Sequence, residues 1–278
     1  MMNIGILHPG EMGISIAASA MNSGHAVYWA SEKRSDRTRL RAEKYGLLEL
    51  DSMAALCQNC EIIFCICPPH AAEEVANSVI GHGFNGYYLD ANAIAPQRAT
   101  SMNEGMEANG IHFIDGGIIG GPAGKPKETW LYLSGKYANV IADCFTKGPL
   151  ETKIIGDEIG KASALKMCYA AYSKGTTALL AAILATAESL GVRKELYAQW
   201  DMDDSNFSEQ TNRRVARATT KAWRFEGEMY EIASTFQAAG LPNGFHEAAA
   251  EIFHRLADFK DMPETPQLND ILKALLQK

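Results

Sequence analysis

A glycine-containing turn at the start of the chain constrains the fold more than any other feature. The segment Gly-Ile-Leu-His-Pro-Gly-Glu-Met-Gly occupies residues 5–13, between a short apolar run and an alanine-rich stretch with helical spacing. This order predicts a strand, a tight turn and a helix whose exposed N–H groups could hold a pyrophosphate. A plain strand-to-helix turn is the alternative, because His8 replaces the first glycine of G-x-G-x-x-G. The predicted phosphate-binding residues are Gly10, Glu11, Met12 and Gly13.

The first half of the chain alternates short apolar runs with helical or loop-like segments. The runs are Ala26–Ala30, Glu61–Cys67, Tyr87–Asp90 and His112–Asp115. Such alternation predicts parallel strands joined by right-handed helical crossovers. From about residue 158 the pattern becomes purely helical. We therefore predict an α/β chain with a Rossmann-like, doubly wound domain over residues 1–157 and an all-helical domain over residues 158–278, led by a long helix.

That long helix suggests an oligomer. The stretch from Lys161 to Leu190 contains no proline and is mostly apolar through its centre. A helix of about 30 residues would span roughly 45 Å and would need neighbours on most sides. The rest of the second half is barely enough to cover it, so we expect a homodimer with interleaved helical domains.

Composition narrows the classes of partner. The net charge of −7 argues against a nucleic-acid partner, which would favour a basic surface. No basic and then apolar leader precedes the first strand, and no apolar run reaches the ~20 residues of a membrane helix. We expect no membrane contact and a cytoplasmic location.

The cysteines do not indicate a metal site. Cys57 and Cys60 form a C-x-x-C pair, whereas Cys65 and Cys67 fall inside a predicted buried strand, where a thiol behaves as a small apolar group. A structural zinc would need two separated ligand pairs that converge. We expect reduced thiols and no metal.

Three loops follow predicted strands at the edge where open parallel sheets bind ligands. The segment Cys67-Pro68-Pro69 could lie along the nicotinamide side of a cofactor, or could simply end a strand. Asn92 could bind a nicotinamide ribose and the substrate, or could cap a turn. The third loop, residues 113–123, has four glycines in six residues and could present backbone N–H groups to a carboxylate or phosphate, or could be a structural turn. Its predicted substrate-binding residues are Ile119, Gly120 and Gly121.

Two groups of basic residues in the second half have open interpretations. Lys166 lies on the first turns of the long helix, where apolar neighbours could lower its pKa enough for acid/base chemistry, although such a lysine is commonly a surface residue. A basic cluster lies between residues 213 and 224 and is either a solvated helix face or a contributor to anion binding. Its members are Arg213, Arg214, Arg217, Lys221 and Arg224.

Taken in order, these motifs resemble the β-hydroxyacid dehydrogenase family, which is related to phosphogluconate dehydrogenase. Residues 4–13 resemble the family's IGFIGLGxMG, residues 115–121 its substrate loop DAPVSGG, and residues 160–166 its GxGxxxK. The resemblance is strong to about residue 175 and implies that Lys166 is the general acid/base.

This chain also departs from the family. Ile119 replaces a serine that helps to bind a substrate carboxylate, and Ala170 replaces an asparagine one turn after Lys166, with Tyr169 beside it as a candidate substrate-binding residue. The second half resembles a divergent branch with its own small helical domain. For the cofactor, Ser31, Lys33 and Arg34 after the second strand favour the 2′-phosphate of NADP, whereas Glu32 would suit NAD.

The sequence thus predicts an NADP-dependent oxidoreductase that transfers hydride to or from a small hydroxy or oxo acid or a related carbonyl compound, with NAD as a possible cofactor. One alternative is an imine reductase, since that family resembles this fold and tolerates loss of the serine at position 119. Another is a nucleotide-binding sensor without turnover, because the residues at 119 and 170 depart from the family.

Overall fold

The protein was analysed as a computed structural model that describes residues 1–260, 262 and 264–277. Its strands are β1 Asn3–Leu7, β2 Ala26–Ala30, β3 Leu48–Leu50, β4 Ile62–Cys65, β5 Tyr87–Asp90, β6 His112–Ile119, β7 Thr129–Ser134 and β8 Leu150–Ile154. They form one eight-stranded sheet in the order β3-β2-β1-β4-β5-β6-β7-β8. All neighbouring strands run parallel except β6 and β7, which are antiparallel.

The helices of the first half connect these strands. They are α1 Glu11–Asn22, α2 Asp36–Lys44, α3 Met53–Asn59, α4 Ala72–Gly81, α5 Pro96–Ala108 and α6 Ala138–Ala142. The buried apolar core consists of two clusters, one that includes Phe64 and one that includes Phe113. In the sheet, the first six strands have the order of a dinucleotide-binding sheet, so the predicted fold class is confirmed.

Among the residues described in the second half, the regular elements are all helices. They are α7 Lys161–Ala170, a π-helical segment Ala171–Gly175, α8 Thr176–Ser189, α9 Arg193–Asp203, α10 Phe207–Thr219, α11 Ala222–Ala238, α12 Gly244–His254 and α13 Leu268–Leu276. The predicted long helix is thus present, with one wider turn inside it. Within the described part of the chain, no helix combines the length and apolar character needed to cross a bilayer.

The chain divides into two compact units, Met1–Met167 and Cys168–Lys278. The sequence predicts a boundary at residues 157 and 158, and that boundary remains a prediction. Lys166 belongs to the first unit, together with the whole sheet and the glycine turn.

Two strand limits differ from the sequence prediction. β4 ends at Cys65 rather than Cys67, because Pro68 restricts the residue before it and the Cys67 N–H donates to the Asn92 side chain instead. β6 continues from Asp115 through Ile119, so Gly116 and Gly117 lie in a buried strand and not in a loop.

Candidate functional site

The glycine turn joins β1 to α1. Gly10 is the N-cap of α1, and its N–H donates to the His8 carbonyl at 2.7 Å. A Cβ on Gly13 would lie only 2.6 Å from that same carbonyl oxygen, so glycine is required for this close approach. His8 itself has φ +64°, in the left-handed region where glycine is favoured. The turn therefore has the backbone conformation of a glycine motif although its first glycine is absent.

Two buried polar atoms in this region lack partners. Among the described residues, His8 Nδ1 and Arg34 Nε make no hydrogen bond. Burial, and secondarily the charge of Arg34, lowers the pKa of His8 to about 4, and burial also lowers the pKa of Arg34. A half-buried guanidinium with an unsatisfied donor is costly unless it receives an acceptor. A dinucleotide phosphate would provide one, so these residues fit the predicted cofactor.

The other residues predicted to select NADP follow β2. Ser31 is buried and its carbonyl accepts a hydrogen bond from Arg39, whereas Lys33 is exposed, with its amine 3.7 Å from Glu32. The sequence analysis missed Arg41, whose Nη1 donates to the Pro9 carbonyl within the glycine turn at 3.3 Å. Arginine occupies every second position from Arg37 to Arg41 in α2, and this pattern is the signal that could have identified Arg41.

The loops after β4 and β5 meet through Asn92. Its buried side chain accepts a hydrogen bond from the Cys67 N–H and donates to Asp90 at 2.7 Å. Both ends of the amide are thus engaged inside the protein, in a link between the two loops that neither sequence interpretation had specified. Pro68 and Pro69 lie at the start of a short 3₁₀ turn, Pro69–Ala71. Ligand binding by Asn92, Cys67, Pro68 and Pro69 remains a prediction.

Asp90 is fully buried beside this loop. Burial raises its pKa to about 7, hydrogen bonds from Asn92 oppose that shift, and the nearby Asp115 adds to it. The cysteine thiols in this half are free, and burial raises the pKa of Cys57 to about 11 and that of Cys60 to about 12. Among the residues that the structure describes, no group of three or more His, Cys, Asp or Glu side chains is arranged to hold a metal.

Asp115 on β6 holds the start of α7. Its Oδ2 accepts hydrogen bonds from the N–H groups of Gly160, Ala162 and Ser163 at 2.9–3.1 Å, and from the Ser134 hydroxyl at 2.9 Å. Its Oδ1 accepts from the Ser163 hydroxyl at 2.6 Å. A buried carboxylate thereby satisfies the orphan donors of a helix N-terminus. The sequence analysis did not predict this function of Asp115.

Lys166 lies on α7 against β6. A Cβ on Gly117 would lie 2.6 Å from the Ala162 carbonyl oxygen and 3.2 Å from Lys166 Cβ, so the missing side chain of Gly117 allows the contact. The Lys166 amine donates to the Ile118 carbonyl. The structure therefore brings Lys166 to the carboxyl end of β6, next to the predicted substrate loop.

The substrate loop itself begins at the end of β6. Ile119 pairs with Trp130 of β7, and Gly120 has φ +120°. A Cβ on Gly120 would lie 2.3 Å from the Glu128 carbonyl oxygen, whereas Gly121 faces open space and its carbonyl accepts from Thr129. Tyr169 lies one turn after Lys166 on α7 and is half-exposed, within the second compact unit. The substrate-binding roles of these residues remain predictions.

Comparison with known proteins places the chain in a family. Residues 3–143 match the family described as the NAD binding domain of 6-phosphogluconate dehydrogenase, and residues 187–256 match a domain of unknown function, DUF1932. An uncharacterized 28.5 kDa protein from Methanothermus fervidus is 29% identical over 195 residues, which cover 70% of this chain and 74% of that protein.

Solved structures share the fold over nearly the whole chain. A conserved protein of unknown function, described as structurally similar to 3-hydroxyacid dehydrogenases, is 26% identical with a TM-score of 0.68 and coverages of 92% and 97%. A 3-hydroxyisobutyrate dehydrogenase from Mycobacterium tuberculosis reaches a TM-score of 0.71 at 16% identity and full coverage of both chains. An imine reductase from Myxococcus stipitatus, solved with NAD⁺, reaches 0.59 at 14% identity, also over both whole chains.

The family match spans half of the chain and includes the glycine turn and the strands that follow it. The resemblance inferred from the sequence motifs is therefore confirmed. The chain belongs to the family that carries the NAD binding domain of 6-phosphogluconate dehydrogenase, here followed by a DUF1932 domain.

Proposed function

We propose that this protein is an NADP-dependent oxidoreductase that acts on a small hydroxy or oxo acid or a related carbonyl compound, with Lys166 as general acid/base. The observation that carries the proposal is the position of Lys166. Its amine is at the carboxyl end of β6, in the same compact unit as the glycine turn. Open parallel sheets bind ligands at this edge.

The chain's own residues would hold the dinucleotide at the edge of the sheet. Gly10 is the N-cap of α1 and Glu11, Met12 and Gly13 are its first residues, at a helix N-terminus that attracts phosphate. Arg34 would satisfy its unpaired donor on the 2′-phosphate, supported by Ser31 and Lys33. When bound, the nicotinamide supplies or accepts the hydride.

Lys166 would exchange a proton with the oxygen of the substrate. The Ile118 carbonyl holds the amine in place before substrate arrives. Backbone N–H groups of Gly120 and Gly121 would receive the anionic end of the substrate, with Ile119, Asn92 and Tyr169 as neighbours. Proton transfer by a positioned side chain typically contributes 10²–10⁴-fold in rate.

Replacement of Lys166 tests this assignment. Lys166→Ala is expected to lower kcat by roughly 10²–10⁴-fold with little change in NADPH affinity, and Lys166→Arg is expected to fail as well, because guanidinium keeps its proton near neutral pH. The matched control is Lys161→Ala, an exposed lysine on the same helix whose salt bridge is to Glu158. Full activity of Lys166→Ala would refute the acid/base role, and loss of NADPH binding would make Lys166 a cofactor ligand.

Reduction of imines is the second candidate activity. The similarity to an imine reductase fold and the apolar Ile119 favour it. A sensor without turnover is the third, favoured by Ala170 and Ile119 at positions where the dehydrogenases have polar residues. NADPH absorbance with aldehydes, ketones, 3-oxo acids and imines distinguishes the three, because turnover excludes the sensor and the reactive class separates the enzymes.

We also propose that the chain forms a homodimer through its helical unit. An apolar groove of about 1000 Å³ lies along the π-helical segment, α8 and α12. Tyr172, Leu179 and Phe245 line this groove and remain 68%, 55% and 78% exposed. Large apolar side chains that remain exposed together in one groove favour a protein partner, and a second copy in a self-complementary contact is the commonest arrangement. A cytoplasmic location remains a prediction that cell fractionation would test.

A further inference from the structure

The helical unit contains a second pocket, in which five of the ten lining residues are basic. It has a volume of about 560 Å³, within the range of small-molecule sites. The π-helical segment and α8 form one wall, and α10 with the start of α11 forms the other. We call this site the basic pocket; its lining residues are Ser173, Lys174, Thr177, Gln210, Arg213, Arg214, Arg217, Ala218, Lys221 and Phe225.

The positive charge of the basic pocket is largely uncompensated. No aspartate or glutamate is among its described lining residues. Lys174 forms an ion pair with Glu228, and Arg213 lies 3.7 Å from Glu209. Within the described ranges, Arg214, Arg217 and Lys221 have no acidic partner within salt-bridge distance.

Arg214 is held in a fixed orientation. Its Nε donates to the Thr177 hydroxyl at 2.7 Å, and its Nη2 donates to the Ser173 carbonyl at 2.6 Å. Both acceptors are neutral, so neither compensates the positive charge of the guanidinium. Neither of these two hydrogen bonds involves Nη1. A guanidinium that is already oriented loses little entropy when it binds an anion.

The backbone beside Arg214 is also unusual. Ser173 belongs to the π-helical segment, and its carbonyl accepts hydrogen bonds from both Arg214 and the Thr177 hydroxyl. Such widened turns occur frequently at functional sites. Two side chains thus stabilise the irregular turn at the wall of the basic pocket, which a merely solvated helix face would not require.

Like charges repeat along α10 towards α11. Arg213 and Arg217 are four residues apart on α10, a spacing at which like charges destabilise a helix, and Lys221 immediately precedes α11. An anion with more than one negative charge would relieve this repulsion. Arginine recognises phosphate oxygens through paired N–H donors. We propose that the basic pocket binds the phosphate group of a small phosphorylated compound, independently of any dehydrogenase activity.

The test is calorimetric titration of the full chain with inorganic phosphate and with glycerol phosphate, at constant ionic strength in chloride. The double variant Arg217→Ala/Lys221→Ala removes two pocket charges whose side chains make no described ion pair. The matched control, Lys194→Ala/Lys273→Ala, removes two exposed lysines from the same unit outside the pocket. Acetate serves as the singly charged probe, and each titration is repeated with saturating NADPH.

We expect wild type and control to bind phosphate equally, the pocket variant to bind it at least tenfold more weakly, and acetate to bind more weakly than phosphate. NADPH should leave phosphate binding unchanged. Equal affinity of the pocket variant and the control, or no binding at roughly 10 mM phosphate, would overturn the proposal. Competition by NADPH that disappears in the pocket variant would also overturn it, because the phosphate would then belong to the dinucleotide. Loss of turnover in Lys166→Ala would leave these results unaffected.

Discussion

Replacement of Asp115 by asparagine should destabilise the first compact unit. The carboxylate is 1% exposed and accepts five hydrogen bonds, three of them from backbone N–H groups at the start of α7. Asparagine retains the shape but has only one acceptor oxygen and no charge. Either the backbone donors or the Ser163 hydroxyl must then lose part of their interaction.

The magnitude follows from the kind of bond that is lost. Hydrogen bonds to a charged group contribute about 1.5–3 kcal/mol each and neutral ones about 0.5–1.5 kcal/mol. An anion at a helix N-terminus contributes a further ~0.3–2 kcal/mol. Removal of a buried charge recovers some desolvation energy, which offsets part of this loss. We therefore expect Asp115→Asn to lower the free energy of unfolding by about 2–4 kcal/mol.

Urea unfolding followed by circular dichroism measures this loss, with the slope of each transition compared between variants. The control is Asp36→Asn, which removes an exposed carboxylate from the first turn of α2 and should have little effect. Because α7 carries Lys166, Asp115→Asn should also lower kcat more than it raises KM. A stability loss no larger than that of Asp36→Asn would refute the reasoning.

Three further outcomes are expected. Wild type should bind NADPH at least tenfold (~1.4 kcal/mol) more tightly than NADH, and Arg34→Ala should remove most of that difference in calorimetry; an unchanged ratio would contradict the 2′-phosphate contact. Light scattering should give about twice the 30.3 kDa chain mass, and Phe245→Arg, but not Leu40→Arg on α2, should yield monomers; a monomeric wild type would exclude the dimer. The pKa of Asp90 is raised to about 7 from 3.8, so the folded state binds this proton more tightly than the unfolded state does. The stability contributed by proton binding at Asp90 is therefore complete below about pH 4 and is lost as the pH rises to 7. Asp90→Asn should abolish that slope of at most ~1.4 kcal/mol per pH unit, and a stability difference from wild type that stays constant between pH 5 and 8 would contradict it.

The architecture was predictable because its signals are local. Alternating apolar runs and helical segments indicated the parallel sheet, and the proline-free stretch from Lys161 indicated the long helix. Local patterns failed where tertiary packing decides the structure. Gly116 and Gly117 favour a loop by propensity, yet both lie in β6, where a side chain at 116 would clash with Leu89 and one at 117 would clash with Ala162 of α7.

The candidate site was only partly predictable for the same reason. The motif around Lys166 made it a candidate, and its catalytic role remains a prediction. The contacts of Lys166 with the Ile118 carbonyl and of Ser163 with Asp115 join residues that are 48 positions apart in sequence and meet only in the fold. Asn92 is a further case, because its hydrogen bonds with Cys67 and Asp90, which join two loops, also form only in the folded chain. Its role towards a ligand remains a prediction.

The π-helical turn changes which side chains share a face of the long helical run. Successive residues of an α-helix are rotated by about 100°, so one additional residue in a turn shifts the phase of everything beyond it. A helical wheel drawn continuously from Lys161 to Ser189 would therefore assign α8 to the wrong directions after Gly175. Deletion of one residue between Ala171 and Gly175 would restore the regular phase and rotate the apolar face of α8, along with Thr177, away from its present neighbours.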